Sequence, residues 1–346
     1  MMMASDFVPW ALLAGSSTGS TWVNHVLSSH PCVASVGEIL MRNQTAAKLF
    51  HAGVDGVSTV LEDVANQNRQ QLQQRPNASQ CDTVAGGVKL KLGERDIIFS
   101  PNGGNALEVA EALKRLGYMV IVLQRNNHLD NVIGRLSRRR TGVLHCKGSG
   151  TAGSSGCDPA RLNTSLRLNC QKTISTINTL RLRKRASEML FGSAELANER
   201  AGGRARAGRV LVMEYETLIG TPSLWTKALK LLGLPATSSC LLRDDYRKRI
   251  VQTQRELIVN YVALARCFER DGQQYAQHLA PYRRPKSGVI PRDSRELCPR
   301  GQGTYSTSSA ARVAQRARKE VPGRLSLAQP EPRQNVAALL TCYKQG

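Results

Sequence analysis

Aromatic residues are scarce in this chain: Phe, Trp and Tyr together make up 5% of its 346 residues. That weakens any role in gripping single-stranded nucleic acid, which relies on stacking bases against aromatic faces. No window reaches eighteen consecutive apolar residues, so the sequence offers no membrane-spanning helix. Acid is scarce beside base, with 26 Asp and Glu against 48 Lys and Arg and a formal net charge of +22. Such a balance favours anionic ligands such as nucleotide phosphates, sulfated sugars, nucleic acid or acidic membranes, without choosing among them. None of the nine cysteines forms C-x-x-C, and no Cys/His spacing suggests zinc; reduced thiols and no bound metal are the expectation. Neither G-x-x-x-x-G-K-[ST] nor G-x-G-x-x-G occurs in the strand, turn and helix stretch from Phe7 to Leu27, which argues against a Walker-type nucleotide triphosphatase and a dinucleotide site there. The first apolar strand begins within a few residues of Met1, leaving no room for a signal peptide. A cytoplasmic chain is expected on that ground, or a Golgi-lumen one if the N-terminus is truncated. The sequons at Asn43, Asn77 and Asn163 would matter only in the second case.

What is present is concentrated near the start. The run Phe7 to Gly15 is apolar, Ser16, Ser17, Thr18, Gly19, Ser20 and Thr21 are small or hydroxylated, and an amphipathic stretch opens at about Ser20. That pattern predicts a strand, a tight turn and a helix N-terminus. The first N–H groups of a helix lack intrahelical partners and carry positive potential, so such a turn is built to hold an anion. Hydroxyl side chains add further donors.

The turn resembles the 5′-phosphosulfate loop of sulfotransferases, P-[KR]-S-G-[ST]-T-W. Ser16 takes the Pro position, Ser17 the Lys/Arg, Thr18 the Ser, followed by Gly19, Ser20, Thr21 and Trp22. Ser17 cannot supply the cation that the family places there. Further along, Ser29-His30-Pro31 followed by Gly37-Glu38-Ile39-Leu40 is similar to the carbohydrate and glycolipid members of that family. Gly86 to Leu92, with Lys89 and Lys91, resembles their next strand. Tyr118 to Leu123 is a nearly continuous apolar strand, the pattern of a central parallel strand covered on both faces. It runs into Gln124-Arg125-Asn126, similar to the family's strand-end arginine. Met213-Glu214-Tyr215-Glu216 resembles a later signature, with Tyr215 and Glu216 expected to anchor the strand end.

The resemblance spans about residues 7–280 and implies a three-layer α/β fold of the P-loop NTPase-like kind, a central parallel sheet between helices. Strand–helix alternation along the chain points the same way. Helices are expected over about 20–29, within 43–80, over 107–116, 128–138 and 165–191, and from Arg255 to Leu279. The Gln/Asn-rich patch 66–74 is expected to be solvated. Residues 147–160 read as a Gly/Ser-rich loop. Residues 281–346, with 13 basic against 4 acidic side chains from 282 onward, read as a disordered tail after a domain ending near 280.

The resemblance also implies a chemistry: in-line transfer of a sulfuryl group from 3′-phosphoadenosine 5′-phosphosulfate (PAPS) to a hydroxyl or amine, with carbohydrate the favoured acceptor. The loop residues Ser16 to Trp22 would hold the phosphosulfate. Arg125 would take the 3′-phosphate, for which a guanidinium can make two parallel hydrogen bonds. The family's helix serine falls here on Ile133 or Gly134, and Ser137, one turn on, is the substitute. Glu38 is the first candidate for the base and His30 the second. Lys89 or Lys91 is the candidate replacement for the loop cation missing at Ser17. Competing functions are a catalytically impaired relative that binds nucleotide or sulfated glycan, a P-loop kinase or NTPase, and a nucleic-acid binder suggested by charge alone.

Overall fold

The computed structural model describes residues 6–38, 48–49, 52–75, 78, 81–92, 106–142, 146–147, 165–192, 209–218, 221–236, 242, 246–247, 253–271 and 273–279. The sequons Asn43, Asn77 and Asn163, nearly all of the Gly/Ser-rich stretch and the basic tail lie outside these residues.

Five strands pair in parallel: β1 Asp6–Gly15, β2 Val33–Ser35, β3 Thr83–Leu92, β4 Met119–Gln124 and β5 Val210–Glu214. Their order across the sheet is β2-β3-β1-β4-β5, which puts β1 at the centre. Residues 10–14 of β1 are fully buried because both of its faces are covered. Alternate side chains serve the two faces. Ala11 and Leu13 join Val88, Leu90, Val120 and Val122 on one side, against helices α2 Gly53–Gln73 and α3 Ala106–Arg115. Trp10, Leu12 and Ala14 join Ile121, Leu123 and Met213 on the other, against α1 Ser20–Ser28 and a later helix, Pro222–Leu231. The expected three-layer α/β architecture is therefore present.

A third apolar cluster lies beside the sheet, between α4 His128–Thr141, α5 Cys170–Ser187 and the segment 257–275. Asn127 caps α4 by accepting from Asp130 N, and Asn169 caps α5 by accepting from Lys172 N. The long helix expected over 165–191 starts later, at Cys170, because Leu166 pairs as a strand-like bridge with Ile258. It continues past Ser187 as one π turn, Glu188–Gly192.

Two sequence expectations are corrected. The patch 66–74 is not simply solvated, since Asn68 is fully buried and its Nδ2 donates to Val64 O and Gly87 O, both at 3.0 Å. It ties α2 to the sheet. The cysteines are not all thiols: Cys32 is joined to Cys81 and Cys170 to Cys267. The partners stand 49 and 97 residues apart in sequence, and only the folded chain brings them together.

Candidate active site

Parallel strands present all their carboxyl ends at one edge, and in open α/β sheets ligands bind in the crevice outside that edge. Here the edge gathers the turn after β1, Glu38 after β2, Lys89 and Lys91 late in β3, Arg125 after β4, and Tyr215 and Glu216 after β5. Residues from five separate stretches of sequence thus meet because their strands run the same way.

The turn itself is tightly wound. Thr18 is buried and its Oγ1 donates to Gly15 O at 2.8 Å, closing the bend. Ser17 adopts a left-handed φ of 63°, a conformation that costs a non-glycine residue roughly 1 kcal/mol. Gly19, at φ 90°, is the N-cap of α1, and no side chain caps that helix. Ser20 is buried in the first turn, and Ser16 is half-buried at the mouth. The Trp22 ring meets Tyr215 edge-on at 5.9 Å and Trp225 at 5.4 Å.

Lys89 and Lys91 alternate with the buried apolar residues of β3 and so face the α1 side. Lys89 is 5% exposed, and its Nζ donates to Thr21 Oγ1 at 2.8 Å. The same Nζ lies 2.6 Å from Glu38 Oε1, and Lys91 Nζ lies 2.6 Å from Glu38 Oε2. Burial on its own would raise the Glu38 carboxyl, but the hydrogen bonds and charges of the two lysines outweigh it and hold the group below its ordinary range. Glu38 is therefore an ionised, doubly paired carboxylate in this state. A base raised toward neutrality would need a different environment.

His30 is not brought to the loop. It follows the far end of α1, a nine-residue helix of roughly 13 Å. Its Nδ1 accepts from Cys32 N at 3.1 Å, and burial pushes its pKa down to about 4. That end of α1 is held by Arg75, whose Nη1 donates to His30 O at 3.3 Å and Val33 O at 2.6 Å.

Arg125 crosses to the turn, its Nη1 donating to Ser17 O at 3.0 Å. Its Nη2 pairs with Asp130 Oδ2 at 3.0 Å, and its guanidinium stands 4.8 Å from the centre of the Tyr215 ring. Glu216 accepts from Asn126 N at 3.1 Å and Asn127 N at 3.0 Å, so it fixes the turn that carries Arg125. On α4, Gly134 faces Ser17: a Cβ there would stand 3.4 Å from Ser17 Cβ. Ser137 sits one turn on, 1% exposed, with its hydroxyl lacking a hydrogen-bond partner.

A cleft of about 410 Å³, counting its open mouth, lies beside Arg125 and is lined among others by Thr18, Gln124, Asn131, Arg183 and Lys184. Among the described residues no carboxylate lines it. Arg183 and Lys184 come from a helix whose basic run gave no sign in sequence of turning toward the sheet edge. Asp130 and Gln254 were also not foreseen; Gln254 Nε2 donates to Asp130 Oδ1 at 2.8 Å and steadies the partner of Arg125.

No protein family matches the sequence, and neither does any curated protein. Solved structures similar in fold include two sulfotransferases. A sulfotransferase from Alicyclobacillus acidocaldarius is 12% identical, covers 80% of this chain and 96% of its own, and gives a TM-score of 0.36. The sulfotransferase domain from the curacin biosynthetic pathway is 13% identical, covers 92% of this chain and 100% of its own, and gives 0.35. The likeness is to sulfotransferases. At such values it says nothing of this chain's chemistry, which rests on the residues above.

Proposed function

We propose that the chain transfers the sulfuryl group of PAPS to a hydroxyl or amine of an acceptor, with carbohydrate the favoured class. The observation that carries this is the bond from Lys89 Nζ to Thr21 Oγ1 at 2.8 Å. It sets a cation from the neighbouring strand beside the first turn of α1, where Ser17 supplies none. Transfer of this kind needs alignment of nucleophile and leaving group and neutralisation of charge on the oxygens, and little covalent work from protein.

The roles then divide across the sheet edge. The uncapped N-terminus of α1, with Ser16, Ser17, Gly19, Ser20 and Thr21 around it, receives the phosphosulfate, and Lys89 stabilises charge near the bridging oxygen. Arg125 receives the 3′-phosphate, with Lys184 and Arg183 adding positive potential from the adjoining cleft. Two strand spacings separate β3 from β4, roughly 10 Å, on the scale of one nucleotide. Thr18 and Trp22 shape the loop from within. Ser137 is too enclosed to meet a ligand in this state, and Gly134 holds the position nearest the loop. Glu38 remains the candidate proton acceptor, and His30 acts as a packing residue at the end of α1. The two disulfides favour the lumen of an oxidising compartment over the cytoplasm.

The test is incubation with radiolabelled PAPS and a panel of glycans. Label should pass to an acceptor, fall strongly with Lys89→Ala and fall with Glu38→Gln. PAPS affinity and turnover unchanged in both Lys89→Ala and Lys91→Ala would dismiss the lysine replacement. The second reading, a non-transferring binder, is favoured by Ser17 and Gly134; it requires PAPS or sulfated glycan to bind with no transfer across the whole panel.

A further inference from the structure

The carboxylate of Glu38 and the loop share one cation. Lys89 Nζ stands 2.6 Å from Glu38 Oε1 and 2.8 Å from Thr21 Oγ1, so a single ammonium touches both the candidate base and the place where the donor's sulfonate would lie. Lys91 holds the other oxygen, Oε2, at 2.6 Å. Among the described residues these lysines of β3 are the charged groups in contact with Glu38. Thr21 of α1 is linked to Glu38 through the Lys89 ammonium that both share.

We propose that Lys89 passes from Glu38 to the donor's sulfonate when the donor binds, so that Glu38 gains proton affinity only in the loaded enzyme, while Lys91 keeps the carboxylate in position. This rests on the sulfuryl-transfer reading above. An ammonium has three donors and no acceptor, and the anion arriving beside Thr21 competes for the same charge. Losing one of its two charge-assisted bonds destabilises the ionised form of Glu38. Its Oε1 is then uncovered on the side facing the loop, and Oε2 stays fixed by Lys91. In the step that follows, the acceptor O–H proton moves to Glu38 Oε1 and the acceptor oxygen bonds to sulfur. The bond from sulfur to the 5′-phosphate oxygen breaks, and adenosine 3′,5′-bisphosphate leaves with that electron pair. Lys91 is thereby a positioning residue, and the arrangement prevents a free carboxylate from attracting protons before the donor is present.

Titration calorimetry of PAPS binding at about pH 5, just above the ordinary glutamate range, in buffers of different ionisation enthalpy tests the exchange without any acceptor. Wild-type protein should take up a measurable fraction of a proton on binding PAPS and markedly less on binding adenosine 3′,5′-bisphosphate, which lacks the sulfonate. Glu38→Gln should still bind PAPS with the uptake gone. Lys91→Met should enlarge the uptake, Lys91→Arg should restore it, and Lys89→Met should weaken PAPS binding on the order of tenfold and remove the uptake. Melting curves of each variant confirm that it is folded. PAPS binding with no uptake, or uptake undiminished in Glu38→Gln, overturns the exchange while leaving the transfer reading in place. Failure of the wild-type chain to bind PAPS overturns both.

Discussion

A Cβ placed on Gly19 would stand 2.2 Å from Cε2 of Tyr215. The turn after β1 and the end of β5 are therefore in contact through the absence of a side chain, and the glycine's φ of +90° adds a second reason for it. Gly19→Ala should displace either the ring or the turn. Because Tyr215 also backs the Arg125 guanidinium, donor affinity should fall by tenfold or more in order of magnitude, with a modest loss of melting temperature. Equilibrium binding of adenosine 3′,5′-bisphosphate to the variant checks this.

Gly134→Ser is the opposite case. Its Cβ would meet Ser17 Cβ at 3.4 Å, an ordinary contact, so the substitution fits without displacement. Replacing a mid-helix glycine gains about 0.5 kcal/mol of helix stability, and the new hydroxyl adds a donor facing the turn. The variant should melt higher and bind adenosine 3′,5′-bisphosphate several-fold more tightly. Thermal melts and a binding isotherm read both outcomes.

Stability should fall on mild acidification. His30, His128 and His278 are each pushed down to about 4, first by burial; for His128 and His278 the nearby cations add to it, while Asp130 partly offsets the effect on His278. A group whose pKa is lower in the folded state stabilises the fold above its unfolded value, near 6.5, and that contribution is lost as pH falls toward 4. In that window the unfolded chain binds more protons than the native one. The slope should approach about 1.4 kcal/mol per pH unit for each histidine involved. Denaturant midpoints between pH 7 and 4.5, in wild type and His30→Gln, measure it; a flat profile contradicts the burial of these rings.

The bond between Cys32 and Cys81 closes a long loop around β2 and α2. Opening it by Cys81→Ser should cost about 2–4 kcal/mol, and reductant should lower the wild-type melting temperature but leave the variant less affected. Peptide mapping without reduction, showing Cys32 linked to Cys81 and Cys170 to Cys267, tests the pairing directly.

Much of the sheet was legible in the sequence because β1 and β4 are buried on both faces and so read as continuous apolar runs. The turn was legible because its small residues are adjacent in the chain. Glu38 and Lys89 were each visible as candidates, but their pairing was not: it depends on β2 and β3 lying side by side, which no local pattern encodes. His30 failed for the converse reason. Its neighbourhood in sequence is the loop helix, yet a helix carries its two ends apart, and His30 belongs to the distant one. The cysteine pairs escaped notice because their separations are set by topology and not by spacing. Arg183 and Lys184 read as a solvated helix end because helix periodicity tells which face is apolar, not what the polar face approaches.

Arg75 and the Cys32–Cys81 link grip the chain where α1 ends, whereas its beginning is held by two cationic side chains, Lys89 on Thr21 and Arg125 on Ser17 O. The far end of the helix is thus anchored by groups that no ligand disturbs, and the near end by groups that an arriving anion would engage. Amide exchange at residues 20–24 should slow when a nucleotide occupies the site, while residues 28–33 keep the same protection with or without it.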